Sequence, residues 1–164
     1  MKKLLNMTSV LLAVTIAMNS TAQTANVSPK EFESSSDYSA KATANDRALS
    51  KFGKFYPKAT DESWMKTKNG FTVRFSSNNI QHLVFLTKRG GVIASIKYYS
   101  AKELPSDVRD MVENGYPKYS IKSVREINAA NKTAYLVTIE NAKTWKTIRV
   151  VDGEMDVYED FIKG

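Results

Sequence analysis

A helical pattern of apolar residues occurs twice in the chain, and each time it ends at the tripeptide Tyr-Pro-Lys. The first helix is predicted to begin after a cap at Asn45 or Asp46 and to end before Pro57, because a proline disfavours helical conformation in the residue before it. The second is predicted to begin at Leu104-Pro105-Ser106, since proline is favoured in a first helical turn. Their apolar faces consist of Ala48, Leu49, Phe52, Phe55 and Tyr56 in the first helix, and of Val108, Met111, Val112 and Tyr116 in the second.

Each helix is followed by short segments in which apolar and polar residues alternate, the pattern of strands with one buried face. Turn-forming residues separate them at Asn69-Gly70, in the polar segment 76–79, at Gly90-Gly91 and at Asp152-Gly153. The predicted strands are 62–66, 71–75, 82–87 and 92–99 after the first helix, and 121–128, 134–140, 145–151 and 154–162 after the second.

The two halves align with each other. Tyr56-Pro57-Lys58 returns as Tyr116-Pro117-Lys118, segment 71–75 matches 135–139, and Arg89-Gly90 matches Asp152-Gly153. Two copies indicate a tandem duplication and not a solenoid, which needs at least about three repeats. The predicted fold class is α+β, with repeat one at 46–100 and repeat two at 104–162, each a helix followed by four antiparallel strands.

The N-terminal segment has the features of a secretory signal peptide over 1–22. Lys2 and Lys3 precede a short apolar run, and Ser20-Thr21-Ala22 supplies the small residues of a cleavage site. The run is too short to span a bilayer, so no stable membrane anchor is expected after cleavage. Residues 23–45 are rich in Ser, Thr and Ala and are predicted to be a flexible leader. The expected location is periplasmic or extracellular, and the chain has no Cys, so its fold depends on the core without disulfides.

Charge and titratable residues narrow the possible functions. The 24 basic and 17 acidic residues are spread along the chain without a basic block, which argues against nucleic acid and favours an acidic partner. His82 is the single histidine and lies in a predicted strand without a nucleophile motif nearby. The acidic residues resemble helix-start and hairpin charges: Asp107, Asp110, Asp152, Glu154 and Asp156. We therefore predict no enzyme activity, no catalytic residues, no metal site and no cofactor.

The chain resembles the PepSY-like family, whose members are similar to the beta-lactamase inhibitory protein and are common as secreted proteins of Bacteroidota. The resemblance covers roughly Ala48 to Phe161 and rests on a helix ending in aromatic-Pro, a strand with Trp64, the segment Gly70 to Phe75, a glycine hairpin, Leu104-Pro105 and a second copy. It implies one curved antiparallel sheet with helices on one face and an open concave face. It also implies binding or inhibition of another protein. The inhibitory protein carries disulfides and this chain has no Cys, so inhibition of a beta-lactamase is not carried over.

Alternation along the strands predicts which side chains face the helices. The helix-facing set is Phe71, Val73, Phe75, Leu83, Phe85, Val92, Ala94 and Ile96, then Tyr135, Val137, Ile139, Ile148, Val150, Met155 and Val157, with Trp64 on the same side. The opposite face holds Thr72, Arg74, His82, Val84, Leu86, Lys97 and Tyr99, then Leu136, Thr138, Trp145, Thr147, Arg149 and Tyr158. Its aromatic and arginine residues are typical of protein interfaces. The candidate binding residues are Arg74, Tyr99, Trp145, Arg149 and Tyr158.

Two alternatives remain for that face: a one-residue error in strand alternation would place these side chains in the core, and the leader could fold over them. The function predicted from the sequence is a secreted, non-catalytic binding module that inhibits or regulates an envelope or extracellular protein. The alternative is a small-ligand or glycan binder that uses the same face, and an enzyme is the third hypothesis. A protein partner is expected, and nucleic acid is not.

Overall fold

The computed structural model describes Lys41 and residues 44–164. The predicted signal peptide and nearly all of the predicted leader lie outside the described residues. The helices are α1 (Asp46–Phe55) and α2 (Ser106–Gly115), and a short 3-10 turn (Ala101–Glu103) precedes α2. The strands are β1 (Thr60–Thr67), β2 (Gly70–Ser77), β3 (Ile80–Thr87), β4 (Val92–Tyr99), β5 (Ser120–Ala129), β6 (Lys132–Glu140), β7 (Thr144–Val151) and β8 (Glu154–Ile162).

The eight strands form one antiparallel sheet in which each strand pairs with its neighbours in sequence, in the order β1 to β8. All eight predicted strands and both predicted helices are confirmed, and so is the α+β class. None of the helices within the described residues is long and apolar enough to span a membrane.

Asn45, the first of the two predicted caps, is the N-cap of helix α1. The Asn45 side-chain oxygen accepts a hydrogen bond from the Ala48 backbone N–H at 2.9 Å, which satisfies one of the unpaired donors of the first turn. Its side-chain amide donates to the Lys88 carbonyl at 2.7 Å. In the same turn, Gly90 has φ +76°, and a Cβ there would lie 2.7 Å from Ala48 Cα. The cap therefore also fixes the start of α1 against the turn between β3 and β4.

Helix α1 packs on β1, β2 and β3 through an aromatic cluster. The Phe52 ring meets the Trp64 ring edge-on at 5.1 Å between centroids, and it meets the Phe75 ring in the same way, also at 5.1 Å. Val73 and Val84 lie beneath these rings and are fully buried. Trp64 is therefore on the core side, as its sequence position predicts.

Helix α2 forms a second, aliphatic core on the later strands. Val108 and Val112 point into a cluster that contains Val124, Val137 and Ile148, all nearly inaccessible to solvent. Cross-strand pairing joins the two cores across the sheet, because Val84 lies opposite Ser95 on β4, and Ser95 lies opposite Asn128 on β5. Asn128 and Val124 have the same parity on β5, so both helices cover the same face. We call the other face the open face.

Strands β3 and β4 present the opposite faces from those expected. Asn78 and Asn79, with φ 50° and 62°, form a two-residue turn that pairs Ser77 with Ile80 and therefore Phe75 with His82. The predicted helix-facing positions Leu83 and Phe85 are wrong, and these side chains lie on the open face. The other wrong assignments follow from the same register: Ala94 and Ile96 lie on the open face, whereas His82, Val84, Leu86, Lys97 and Tyr99 face the helices.

Candidate binding face

The open face carries two rows of side chains that run across all eight strands. In such a row each residue lies directly opposite its neighbours on the adjacent strands, so the side chains are close enough to form one surface. The first row is Ser63, Arg74, Leu83, Ile96, Ile127, Ala134, Val151 and Glu154. The second is Thr60, Ser76, Gln81, Tyr98, Arg125, Leu136, Arg149 and Asp156.

The centre of this face is apolar and its flanks carry arginines. Leu83, Ile96 and Ile127 are consecutive members of the first row and are each half-buried. Leu136 is 5% exposed although both helices lie on the other side of the sheet. It is flanked in its row by Arg125 and Arg149, whose aliphatic stems are long enough to cover it while their charged ends reach solvent.

Four of the five candidate binding residues lie on the open face. Arg74 is opposite Leu83 in the first row. Arg149 donates two hydrogen bonds to the Asp156 carboxylate, at 2.8 and 2.6 Å, and its guanidinium carbon lies 6.0 Å from the Tyr158 ring centre. Trp145 stacks on the ring of Phe161 with centroids 4.1 Å apart, near the end of the sheet. These four are spread over the face and do not form one compact cluster.

The placement of Tyr99 on this face is wrong. Tyr99 lies opposite Val124 on the helix-covered face, and its ring packs against the core beneath α2. Its hydroxyl donates to a Glu126 carboxylate oxygen at 2.8 Å. The side chain on the open face is that of the preceding residue, Tyr98, which is 41% exposed and lies opposite Arg125.

The sequence reasoning missed the large side chains at the centre of the open face. They come from β3, β4 and β5, where the alternation was misassigned or not assigned: Leu83, Phe85, Ile96, Tyr98, Arg125 and Ile127. The signal that could have located those on β3 is the Asn78-Asn79 dipeptide. Two residues that both tolerate positive φ are typical of a two-residue hairpin, and that turn fixes the register of the strands around it.

On the helix-covered face, a partly buried carboxylate joins β4 to β5. Glu126 accepts hydrogen bonds from Lys97 Nζ at 2.7 Å, from the Tyr99 hydroxyl at 2.8 Å and from Asn128 Nδ2 at 2.8 Å. Burial raises the pKa of Glu126, but the three hydrogen bonds and the Lys97 charge outweigh it and hold that pKa below its ordinary value. Burial, followed by the hydrogen bond to Glu126, raises the pKa of Tyr99.

The lowered pKa of Glu126 predicts a specific acid sensitivity. Because the folded state favours the carboxylate, its stabilising contribution is present above the ordinary pKa of 4.5 and is lost as the pH falls through the lower folded value. Glu126→Gln should therefore lower the free energy of unfolding by about 1.5 to 3 kcal/mol at pH 7, and by much less at pH 3. Urea melts at the two pH values measure the difference. The control is Glu113→Gln on the exposed side of α2, and a loss for Glu126→Gln that stays constant with pH would contradict the assignment.

His82 packs among aromatic rings on the helix-covered face. Its ring stacks on Phe75 at 4.8 Å between centroids and contacts Tyr56, both on the helix-covered face. Burial, followed by the nearby Lys97 charge, lowers the pKa of His82. Across residues 44–164, no group of three or more His, Cys, Asp and Glu side chains is arranged to hold a metal ion.

Comparison with solved structures identifies the fold. A BLIP-like protein from Bacteroides fragilis superposes with a TM-score of 0.56 at 15% identity, over 72% of this chain and 85% of that chain. The chain has a BLIP-like fold. A DUF2874 family protein from Bacteroides uniformis gives a TM-score of 0.56 at 14% identity, over 73% and 89% of the two chains. A candidate periplasmic protein from Bacteroides eggerthii gives 0.56 at 16% identity, over 73% and 88%.

No family model and no curated protein matches the sequence. At 14 to 16% identity the structural likeness extends to the fold. The superposed region covers most of the length of each of these neighbours. Any role of the open face must therefore be inferred from its own side chains.

Proposed function

We propose that this chain is a non-catalytic protein-binding module that recognises its partner through the open face. The observation that carries the proposal is the apolar centre formed by Leu83, Ile96 and Ile127 on the face opposite both helices. Partly exposed apolar surface of this kind, bordered by polar residues, is typical of interaction sites. Tyr98 and Arg125 lie at its border, and tyrosine and arginine are the residue types that contribute most to binding energy in interfaces.

The charge of the open face favours an acidic surface on the partner. Arg74, Arg125 and Arg149 belong to the two rows. The acidic members Glu154 and Asp156 are confined to β8 at the edge, where Asp156 pairs with Arg149. Removal of a signal peptide would take Lys2 and Lys3 from 24 basic residues and leave 22 against 17 acidic ones. Complementary charge of this kind increases the association rate and selects among partners. Occlusion of the partner's acidic surface is the mode of inhibition or regulation that such a face allows.

We propose that the domain arose by duplication of a helix-plus-four-strand unit. Tyr56 and Tyr116 end the two helices in nearly the same conformation, with φ −130° and ψ 63° in one and φ −134° and ψ 60° in the other. The first strand of each unit also has a register irregularity near its start, between Thr60 and Ser63 in β1 and between Ile121 and Ser123 in β5.

We also propose export to the periplasm or beyond. The basic, apolar and small-residue segments of 1–22 support it, as does the candidate periplasmic neighbour. The full chain, expressed in a Gram-negative host and recovered from the periplasmic fraction, should begin at Gln23 by intact mass. A chain that retains 1–22 would contradict export with cleavage.

The exported protein is also the bait that tests the binding face. Proteins that bind to the wild-type chain and to two double variants are quantified by mass spectrometry. The open-face variant is Tyr98→Ala, Arg125→Ala. The matched control is Phe55→Ala, Arg47→Ala, which alters exposed residues of α1. We expect a stoichiometric protein that binds wild type and the α1 variant but is lost from the open-face variant. Equal capture by all three would place the interface elsewhere.

A small ligand or glycan is the second candidate, and the stacked Trp145 and Phe161 rings favour it. Phe161 is 42% exposed, and paired aromatic rings provide a flat apolar surface beside the polar side chain of Glu140, which lies opposite Trp145. A ligand of this kind would raise the melting temperature of wild type and not of Trp145→Ala, with no protein captured in stoichiometric amount.

A further inference from the structure

The last strand of the sheet has an unpaired edge. Strand β8 pairs with β7 and, within the described residues, with no other strand, so one side of its backbone presents unpaired N–H and C=O groups. It is nine residues long, which is enough to pair with a full additional strand. The opposite edge of the sheet is β1.

Large exposed hydrophobic side chains concentrate on β8. Val157 is 46% exposed, Tyr158 39%, Phe161 42% and Ile162 85%. On the other edge strand, β1, Met65 is the one exposed large hydrophobic side chain. They occur on both faces of the strand, since Val157 lies opposite Ile148 on the helix-covered side and Phe161 lies opposite Trp145 on the open side. An added strand would therefore find apolar neighbours for the side chains on both of its faces.

The charges on β8 select which strand can be added. Glu154, Asp156, Glu159 and Asp160 are acidic, and the strand contains no Lys or Arg. The Asp156 and Asp160 side chains remain about half exposed although they pair with Arg149 and Lys146 on β7. Pairing with a second copy of β8 would bring two such acidic sets together without a basic residue in either strand, and like charges across a ladder are destabilising. A basic segment would gain from the same carboxylates.

We propose that the β8 edge accepts an extended, basic segment of a partner protein as a ninth strand of the sheet. Main-chain hydrogen bonds supply the attachment, and side chains that alternate along the segment contact Val157 on one side and Phe161 on the other. This surface borders the open face but differs from its apolar centre, because it uses the backbone edge of one strand and attracts the opposite charge.

The test uses the exported protein and two capped ten-residue peptides, one alternating Lys with Val and one alternating Glu with Val. Hydrogen–deuterium exchange should slow across 154–162 with the Lys peptide, and should not change across 60–67 in β1. The Glu peptide should give no protection. No slowing with the Lys peptide, or equal slowing with both, would overturn the proposal.

Variants with fewer charges provide the second part of the test. Glu154→Gln, Asp156→Asn and Asp160→Asn together should weaken Lys-peptide binding about tenfold, given the modest strength of each exposed charge pair. The matched control removes three exposed charges from α2, with Asp107→Asn, Asp110→Asn and Glu113→Gln, and should bind as wild type does.

An equal loss in both charge variants would show non-specific attraction and overturn the proposal. Protection of 154–162 that depends on protein concentration without peptide would do the same, since the occupant would then be a second copy. If the β8 variant does not fold, weakening of the wild-type interaction between 50 and 500 mM salt provides the same test, and an unchanged affinity would overturn it.

Discussion

Phe75→Ala should lower the free energy of unfolding by about 3 to 5 kcal/mol, the cost of removing a large aromatic side chain from a close-packed core. Phe75 is 1% exposed and its ring contacts three others, those of Phe52, Tyr56 and His82, at centroid distances between 4.8 and 5.1 Å. These neighbours come from α1, its C-cap and β3. The cavity would therefore lie where the helix meets the sheet and could not be filled by a single side-chain movement.

Denaturant melts measure the loss, and Phe161→Ala is the matched control. Phe161 is 42% exposed and stacks on the half-buried Trp145 ring, so its truncation should cost far less. A loss below about 0.5 kcal/mol for Phe75→Ala, or equal losses for the two variants, would show that Phe75 is not beneath α1.

Ile139→Ala should lower the free energy of unfolding by about 2 to 5 kcal/mol. Ile139 is 1% exposed on the helix-covered face, within the core formed by α2. The same substitution at Ile127, half-buried on the open face two strand positions from Arg125, removes fewer contacts and should cost about 1 kcal/mol. The pair compares one chemical change on the two faces of one sheet.

Calorimetry or denaturant melts of the two isoleucine variants, under the same conditions, provide the comparison. Equal losses would indicate that the open face is covered as thoroughly as the helix face, which would favour a leader folded over it. A larger loss for Ile127→Ala would reverse the assignment of the two faces.

The helices and strands could be predicted from the sequence because their signals are local. The apolar spacing from Ala48 to Tyr56, the cap at Asn45 and the stop at Pro57 each concern a few neighbouring residues, and all three appear in the structure. In β6 and β7 the strands alternate clearly, with Val137 and Ile148 opposite each other beneath α2 and Leu136 and Arg149 opposite each other on the open face. Their predicted faces are confirmed.

The faces of β3 and β4 could not be read in the same way, because β3 is apolar on both sides. Leu83, Val84, Phe85 and Leu86 follow one another without a polar residue, so hydrophobicity alone does not separate the two faces. The register that separates them is set by the turn at Asn78-Asn79. In β4, an irregularity opposite Phe85 and Leu86 shifts the pairing by one residue, and no composition signal marks it.

This ambiguity and the candidate site have a common physical origin. A strand with apolar residues on both sides is what a sheet needs when one face packs on a helix and the other face binds a partner. Tyr99, which the alternation placed on the open face, instead donates to Glu126 beneath the helices, and Tyr98 and Arg125 take its position in the surface. The sequence therefore could not locate the centre of the candidate site.

The most direct measurement of the central claim compares affinity with melting temperature for single open-face variants against the captured partner. Tyr98→Ala, Arg125→Ala and Trp145→Ala are measured beside Phe55→Ala and Arg47→Ala on α1. Recognition through the open face predicts losses of about 2 kcal/mol, or roughly thirtyfold in affinity, for hot-spot members of the first group, with melting temperatures nearly unchanged. Full affinity in all three stable open-face variants, together with a loss in the α1 variants, would contradict it.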